Sequence, residues 1–303
     1  LIGGYLFGPG ANLASADLQN INLSSTDISG VTSGSIQSHG ITILPASWKI
    51  LNGYLIGPYA DLTSANLAGV VIDSTFDMTG VNCKNADLTN ASLQNLSVDG
   101  INLTNSTLTT IATSGLVGTP ASLPDNWLYI QGYLVGPTAD LSGANLAGLV
   151  LATADLSGAN LTNVNIDGTD LSTAILTNVE SAGIQGTPIL PANYVIISDY
   201  LVGPNVNLNG ATFSNVTFSD LNIQGANLQN ATFTNCTFAS SMQTAGANFT
   251  GVFFDTCTIN CDLSMTTFEY IRSNTVTVSG QLPPNWYVFN NYLVGPTAIV
   301  TGD

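Results

Sequence analysis

The stretch from Ala139 to Asn178 reads ADLSG ANLAG LVLAT ADLSG ANLTN VNIDG TDLST AILTN, and it repeats every five residues. A period held over this length indicates stacked repeats rather than a closed globule. A large apolar residue takes the centre of each repeat: Leu141, Leu146, Leu151, Leu156, Leu161, Ile166, Leu171 and Leu176. A smaller or branched residue stands two positions earlier: Ala139, Ala144, Leu149, Ala154, Ala159, Val164, Thr169 and Ala174.

A period of five fits neither a straight helix nor a straight strand. Every fifth residue drifts around a helix of about 3.6 residues per turn, and in a strand successive centres would fall on opposite faces. A coil that bends by a quarter turn at each repeat points every centre inward. Four sides, about twenty residues, then complete one coil, and we expect parallel hydrogen bonds to the next coil roughly 4.8 Å away.

The repeats resemble the pentapeptide-repeat family, whose motif is A(D/N)LxX. This resemblance implies an all-β fold, a right-handed parallel quadrilateral β-helix. The matching residues outside the opening stretch are ANL at 11–13, ADL at 16–18, DL at 61–62, ANL at 65–67 and ADL at 86–88.

The five-residue repeats form four cassettes, which we interpret as one continuous solenoid over residues 1–303. The predicted cassettes are residues 10–42, 59–113, 138–180 and 205–272. In the last cassette Phe replaces Leu at many centres, and we expect these rings to stack with an offset between adjacent coils. The phenylalanines concerned are Phe213, Phe218, Phe233, Phe238, Phe249, Phe254 and Phe268.

A longer unit of the type LPxxW…GYLxGP separates the cassettes. Its copies occupy residues 43–58, 122–137, 189–204 and 281–296, and LIGGYLFGP at 1–9 matches the second half of another. Two interpretations stay open, a β-hairpin turning at Asn52-Gly53 and its equivalents, or an irregular coil of the same helix. The tryptophans of these units fit buried packing, a subunit contact or sugar stacking.

Composition limits the classes of function. Charged residues make up only 7% of the chain, and the net charge is −16 with 3 Lys and Arg. We therefore expect no direct binding to nucleic acid or to anionic membranes, because both need cationic side chains. No apolar run is long enough to insert into a membrane as a helix. The scarcity of Lys and Arg favours an extracellular, cell-surface or virion-surface location. Since the chain begins with Leu1 and inside a long unit, we expect a processed chain or a segment of a longer array.

The chain offers little that suggests catalysis, and we predict neither enzyme activity nor a cofactor. A single His, His39, supports no hydrolase triad and no zinc site. Cys236 and Cys257 are one coil apart and form a candidate disulfide, whereas a buried apolar role is the alternative for all cysteines, Cys83 and Cys261 included. Outward Asp columns indicate a solvated acidic face, with weak Ca²⁺ bridging between subunits as the alternative.

Three hypotheses about function follow from these observations. The first is a structural, self-associating surface protein whose copies stack head to tail into a filament or array, because uncapped β-helix ends invite pairing with another chain. The expected contact residues are Leu1, Tyr5, Leu6, Phe7, Tyr292, Leu293, Val294, Ile299 and Val300. The second, implied by the family resemblance, is an acidic DNA-mimic inhibitor of a topoisomerase. The third is a carbohydrate-binding spike module that would stack glycans on Trp48, Trp127 and Trp286.

Overall fold

The structure, a computed structural model, describes residues 6–38 and 40–299. Within these residues the chain contains short strands, isolated bridges and turns, with no helix and hence none that could span a membrane. The strands are β1 (Lys49–Leu51), β2 (Tyr54–Ile56), β3 (Val71–Ile72), β4 (Ser92–Gln94), β5 (Ala112–Ser114), β6 (Leu128–Ile130), β7 (Tyr133–Val135), β8 (Val195–Ile197), β9 (Tyr200–Val202), β10 (Thr212–Ser214), β11 (Thr217–Phe218), β12 (Thr232–Thr234), β13 (Thr237–Phe238), β14 (Phe253–Asp255), β15 (Thr258–Ile259), β16 (Arg272–Asn274), β17 (Thr277–Val278), β18 (Tyr287–Phe289) and β19 (Tyr292–Val294).

The parallel pairing confirms a β-solenoid. Strands β10, β12, β14 and β16 pair in that order, as do β11, β13, β15 and β17, and β3, β4 and β5 form a third parallel set. Phe213 aligns with Phe233, twenty residues later, so one coil holds four repeats. Isolated bridges continue this register elsewhere, for example from Asn145 to Asn165. The chain divides into two compact units, Leu1–Leu141 and Ser142–Asp303, and each is a stack of such coils.

The predicted repeat centres form the core. Every centre of the opening stretch is at most 1% exposed, and the Leu, Ile and Phe centres of the other cassettes are buried as well. Where a repeat contains one extra residue, that coil is one residue longer, and the parallel pairing continues in register beyond it. Asp61 therefore aligns with Asn82 and Asn227 with Asn248, both 21 residues apart, and Met78 and Phe249 remain buried.

The corners of the coils are built by residues with positive φ. The second residue after a centre adopts this conformation, as at Asn20, Asn85 and Asn163, where φ is 57° each time. Asn is among the few non-Gly residues that enter this region at low cost. The residue before the centre closes the turn with its side chain; the Asn12 Oδ1 accepts the Ala14 N–H at 3.0 Å. The many Asn, Ser, Thr and Gly residues of the chain therefore help to form the corners of the coils.

The phenylalanine centres stack between coils as expected. The Phe213 and Phe233 ring centroids lie 5.4 Å apart with planes inclined by 9°, and Phe233 and Phe254 lie 5.6 Å apart at 16°. Phe218 and Phe238 form a second stack, with centroids 5.1 Å apart. The rings replace the smaller Leu centres and give this part of the core continuous aromatic columns.

Each of the four long units is a β-hairpin, which resolves the two interpretations of the sequence. The antiparallel pairs are β1–β2, β6–β7, β8–β9 and β18–β19. Both turn residues have positive φ in every copy, from Asn52 (50°) and Gly53 (78°) to Asn290 (49°) and Asn291 (65°). Ser198 and Asp199 follow the same geometry despite their less favourable residue types.

Candidate functional site: the uncovered terminal strands

The second strand of the first hairpin, β2, and that of the third, β9, each lie between two apolar cores. In β2, Leu55 packs into the cluster of the first cassette with Leu13 and Leu23, whereas Ile56 packs into the cluster of the second with Leu62. Successive strand residues point to opposite faces, so one side chain faces the preceding cassette and the next faces the following one. We call this strand the partition strand. The same pattern holds in β9, where Leu201 is 1% exposed and Val202 lies among Leu208 and Phe213 of the following cassette.

A hydroxyl of the preceding coil, buried at Thr113 and Ser181 and half-buried at Ser33 and Ser273, anchors the second strand of each of the four hairpins. The N–H of Leu55 donates to the Ser33 Oγ at 2.9 Å, and the N–H of Leu201 donates to the Ser181 Oγ at 2.9 Å. Leu134 pairs in this way with Thr113 at 2.9 Å, and Leu293 with Ser273 at 2.7 Å. These Ser and Thr residues occupy centre positions of their coils. Sequence reasoning missed them, although a hydroxyl at a centre shortly before each long unit was a readable signal.

Two positions that match buried residues of the internal partition strands are not fully buried, one near each end of the described residues. The inner Leu of these strands is 0–2% exposed at Leu55, Leu134, Leu201 and Leu293. The residue at the same place in the first GYLxGP sequence, Leu6, lies outside any strand and is 75% exposed. Phe7, on the other face, packs against the first cassette.

The last partition strand, β19, shows the opposite exposure. Leu293 is buried against the coil beneath, while Val294 is only half-buried, although its equivalents Ile56, Val135 and Val202 are 0–2% exposed. Leu293 is therefore too buried to be a contact residue between copies, whereas Val294 remains a predicted contact residue. The strand thus presents the face that internal copies turn toward a following cassette.

The outer strand of the last hairpin is also uncovered. Strands β1, β6 and β8 are half-buried, whereas in β18 Tyr287 is 56% and Phe289 63% exposed. Internal hairpins are held by the next coil: the Tyr54 hydroxyl accepts the Asn66 N–H at 3.0 Å, and the Lys49 ammonium lies 4.6 Å from the centre of the Phe76 ring. No coil follows β19 among the described residues. Exposed Tyr292 and Ile299 extend this apolar surface.

We define the first-end surface as Leu6 with its neighbouring backbone, and the last-end surface as Tyr287, Val288, Phe289, Tyr292, Val294 and Ile299. Of the contact residues predicted from sequence, Leu1, Tyr5 and Val300 lie outside the described residues, as does His39. The sequence did not identify β18 as part of this surface. Its residues occupy the same places in the hairpin as residues that are half-buried in the other three copies.

The tryptophans of the long units pack on glycine. Trp48, Trp127 and Trp286 are half-buried, and their rings lie so close to Gly57, Gly136 and Gly295 that a Cβ there would stand 2.3–2.4 Å from a ring carbon. Tyr194 and Gly203 repeat this contact. The glycine of each GP sequence therefore admits the aromatic ring, and one ring face is taken up inside the protein.

The outward acids are distributed singly. Asp61 pairs with Thr32 and Asn82, Asp170 with Val150 and Ile189, and no bridge between described residues sets one carboxylate against another. Asp87 lies between Asn66 and Thr107 in the same way. The described residues contain no group of three or more His, Cys, Asp or Glu side chains arranged to hold a metal ion. The predicted Asp columns therefore contain other polar residues between the acids. In one such column, Asn102 Nδ2 donates to Asn82 Oδ1 at 3.0 Å.

The four cysteines are buried free thiols. Burial raises the pKa of the Cys83 thiol to about 12 and that of the Cys261 thiol to about 11. Cys236 and Cys257 differ from these because they are neighbours: the Cys257 thiol lowers the pKa of Cys236, and the Cys236 thiol raises the pKa of Cys257. The predicted adjacency of this pair on neighbouring coils is therefore present.

Comparisons with known proteins agree with this architecture. The family model for pentapeptide repeats matches the chain in eight copies, over residues 76–109, 139–178 and 205–238. The first cassette lies outside these segments, although its centres are buried in the same way. No curated protein matches the chain.

Two solved structures illustrate the likeness. HetL, a pentapeptide repeat protein involved in heterocyst differentiation regulation from the cyanobacterium Nostoc sp. strain PCC 7120, is 18% identical; the match covers 84% of this chain and 91% of HetL, with a TM-score of 0.20. QnrB1, a plasmid-mediated fluoroquinolone resistance protein, is 13% identical over 69% of this chain and 91% of its own, with a TM-score of 0.19. Likenesses this distant carry no function to this chain.

Proposed function

We propose that this chain, which the pentapeptide-repeat model matches in eight copies over three segments, is a structural, non-catalytic, self-associating component of an extracellular or virion surface. Its copies join when the last-end surface of one copy covers the first-end surface of another. The observation that carries the proposal is that Leu6 is exposed and Val294 only half-buried, at positions that every internal copy buries.

The contact would bury apolar groups that internal partition strands bury within the chain. Leu6, Val294 and the aromatic residues of β18 together form two apolar surfaces on a protein that has few charges elsewhere. Burying a Leu side chain contributes about 1.5–3 kcal/mol. Since the two surfaces differ, the contact is heterologous, and it generates a ring or an open filament according to the rotation between copies.

The alternative functions have less support. Acids that stand singly between Asn, Thr and apolar residues do not present the dense acidic surface that a DNA mimic needs. Tryptophan rings that pack on glycine inside the hairpins offer less surface for sugar stacking than free indoles would. The surface location is supported by the scarcity of Lys and Arg.

Association is tested by light scattering and size-exclusion chromatography over a concentration series, with negative-stain electron microscopy of the concentrated sample. We expect the mass to rise with concentration. Leu6→Asp and Val294→Asp should each weaken association at least tenfold, since a buried charge opposes the contact. The matched control is Val71→Asp, an equally acidic change at a 62% exposed outward position within a cassette, where the paired residue on the next coil is Ser92.

Mixing the two variants separates a heterologous contact from other modes. Each variant keeps one intact surface, so an equimolar mixture should form a one-to-one dimer and stop there. Strictly monomeric wild-type protein at all concentrations would overturn the proposal. Equal weakening by Val71→Asp, or no pairing in the mixture, would overturn the head-to-tail contact.

A further inference from the structure

A pair of stacked thiols lies in the wall of the last cassette. Cys236 stands between β12 and β13, and Cys257 stands at the same place between β14 and β15. The strands on both sides pair in parallel, and the Thr258 N–H donates to the Cys236 carbonyl oxygen at 2.9 Å. The two cysteines are therefore direct neighbours on consecutive coils.

Their separation suits a covalent link. Adjacent parallel strands lie about 4.8 Å apart, which falls in the range of roughly 4.4–6.8 Å between Cα atoms that disulfides span. Both side chains point inward, at 1% and 2% exposure. The Sγ atoms also contact the same kind of acceptor: Cys236 Sγ lies 3.4 Å from the Thr234 oxygen and Cys257 Sγ 3.3 Å from the Asp255 oxygen.

The other two cysteines lack such a neighbour. Cys83 aligns with Leu62 and Leu103 on the adjacent coils, following the bridges of Asn82. Burial raises the pKa of the Cys83 and Cys261 thiols, whereas the Cys257 thiol lowers the pKa of the Cys236 thiol. At neutral pH the thiolate, which is the reactive form, is thus favoured at Cys236.

We propose that Cys236 and Cys257 form an oxidation site that closes into a disulfide between two consecutive coils when the protein meets a peroxide. The Cys236 thiolate attacks one peroxide oxygen, the O–O bond breaks and hydroxide leaves, which makes a sulfenic acid at Cys236. The Cys257 sulfur then attacks the Cys236 Sγ, the S–O bond breaks, and water leaves with the Cys257 proton. One hydrogen peroxide and two thiols yield one disulfide and two waters.

The link would staple the cassette. It closes a loop of about twenty residues between positions that are already adjacent, so it restricts the unfolded chain while it asks for little change in the folded one. The oxidised protein should therefore unfold at a higher temperature than the reduced protein. Reduction with a dithiol should reverse the change.

The test treats the folded, reduced protein with hydrogen peroxide at neutral pH, blocks remaining thiols after unfolding, and maps the peptides without reduction. We expect a linked peptide pair containing Cys236 and Cys257, a mass loss of two hydrogens, and alkylated Cys83 and Cys261. In Cys257→Ala, Cys236 should instead be trapped by dimedone as its sulfenic acid. The matched control Cys83→Ala should keep the link and the rise in unfolding temperature.

Other outcomes would overturn the proposal. One is full alkylation of all four cysteines after peroxide treatment of the folded protein. Another is a link that joins Cys236 to Cys83 or Cys261 as often as to Cys257, since that pattern reports oxidation of unfolded chains.

Discussion

At the scale of single residues, position within the five-residue repeat decides what each side chain does. A centre points inward, the residue before it closes the turn, and the second residue after it takes positive φ. The centre hydroxyls are the informative exceptions, because they are polar groups at inward positions, buried at Thr113 and Ser181, that satisfy a backbone N–H of a partition strand.

Removing such a hydroxyl should destabilise the chain. Ser181→Ala leaves the buried N–H of Leu201 without its acceptor, and an unsatisfied buried donor costs about 1–3 kcal/mol. The measurement is denaturant unfolding followed by circular dichroism. Ser181→Thr, which mimics the Thr113 copy, should recover most of the loss, and the exposed Ser219→Ala should change little. A Ser181→Ala protein as stable as wild type would contradict the role of the hydroxyl.

At the scale of elements, neighbouring residues of one strand have opposite roles. In β14, Phe254 is fully buried in the aromatic column, while Phe253 points outward and lies beneath the Arg272 guanidinium, 5.3 Å from the ring centre. The periodicity of the strand therefore separates a core contact from a surface contact within two residues.

This contrast predicts unequal costs for the same substitution. Phe254→Ala removes a ring from the stack with Phe233 and should lower the free energy of unfolding by about 3–5 kcal/mol. Phe253→Ala loses one exposed cation–π contact and should cost about 0.5–1 kcal/mol. Urea unfolding of both variants measures the difference. Similar losses for both would show that the centre does not carry the core of this coil.

At the scale of the whole molecule, several carboxylates share one role, because each accepts hydrogen bonds at a corner of a coil. The Thr75 hydroxyl and then its N–H hold the pKa of Asp73 below its ordinary value, and Thr89 acts in the same order on Asp87. For Asp170 the Ser172 N–H is the first cause of the lowered pKa. A pKa depressed in the folded state contributes stability above the unfolded pKa and loses it as pH falls through the folded one.

The unfolding temperature should therefore be flat above about pH 4 and fall below it. A triple variant with Asp73→Asn, Asp87→Asn and Asp170→Asn keeps an acceptor at each corner, as Asn66 provides for the Ala68 N–H, but no longer titrates there. Calorimetry from pH 7 to about pH 2 should show a shallower acid limb for this variant. If the unfolding temperatures of both proteins fell equally at low pH, these three carboxylates would not be the source of the acid sensitivity.

Much of the architecture was predictable because it is local. Coil length, the inward centres, the stacked phenylalanines and the neighbouring Cys236 and Cys257 all follow from the spacing of residues along the chain. A β-hairpin was one of two interpretations of the long units, because Ser198 and Asp199 match the residue types of the required turn poorly while Asn52 and Gly53 match them well. The role of the partition strand was not predictable, because it depends on which cassette lies on each of its faces.

The sequence by itself determined the stacked β-solenoid, because a centre at every fifth position has only one way to bury all of its members. Only the tertiary structure decided which of nearly identical strands are covered. Leu6 and Leu55 occupy the same place in their repeats, yet one is exposed and the other fully buried. Burial depends on the coil stacked above or below, and that neighbour lies about twenty residues away along the chain.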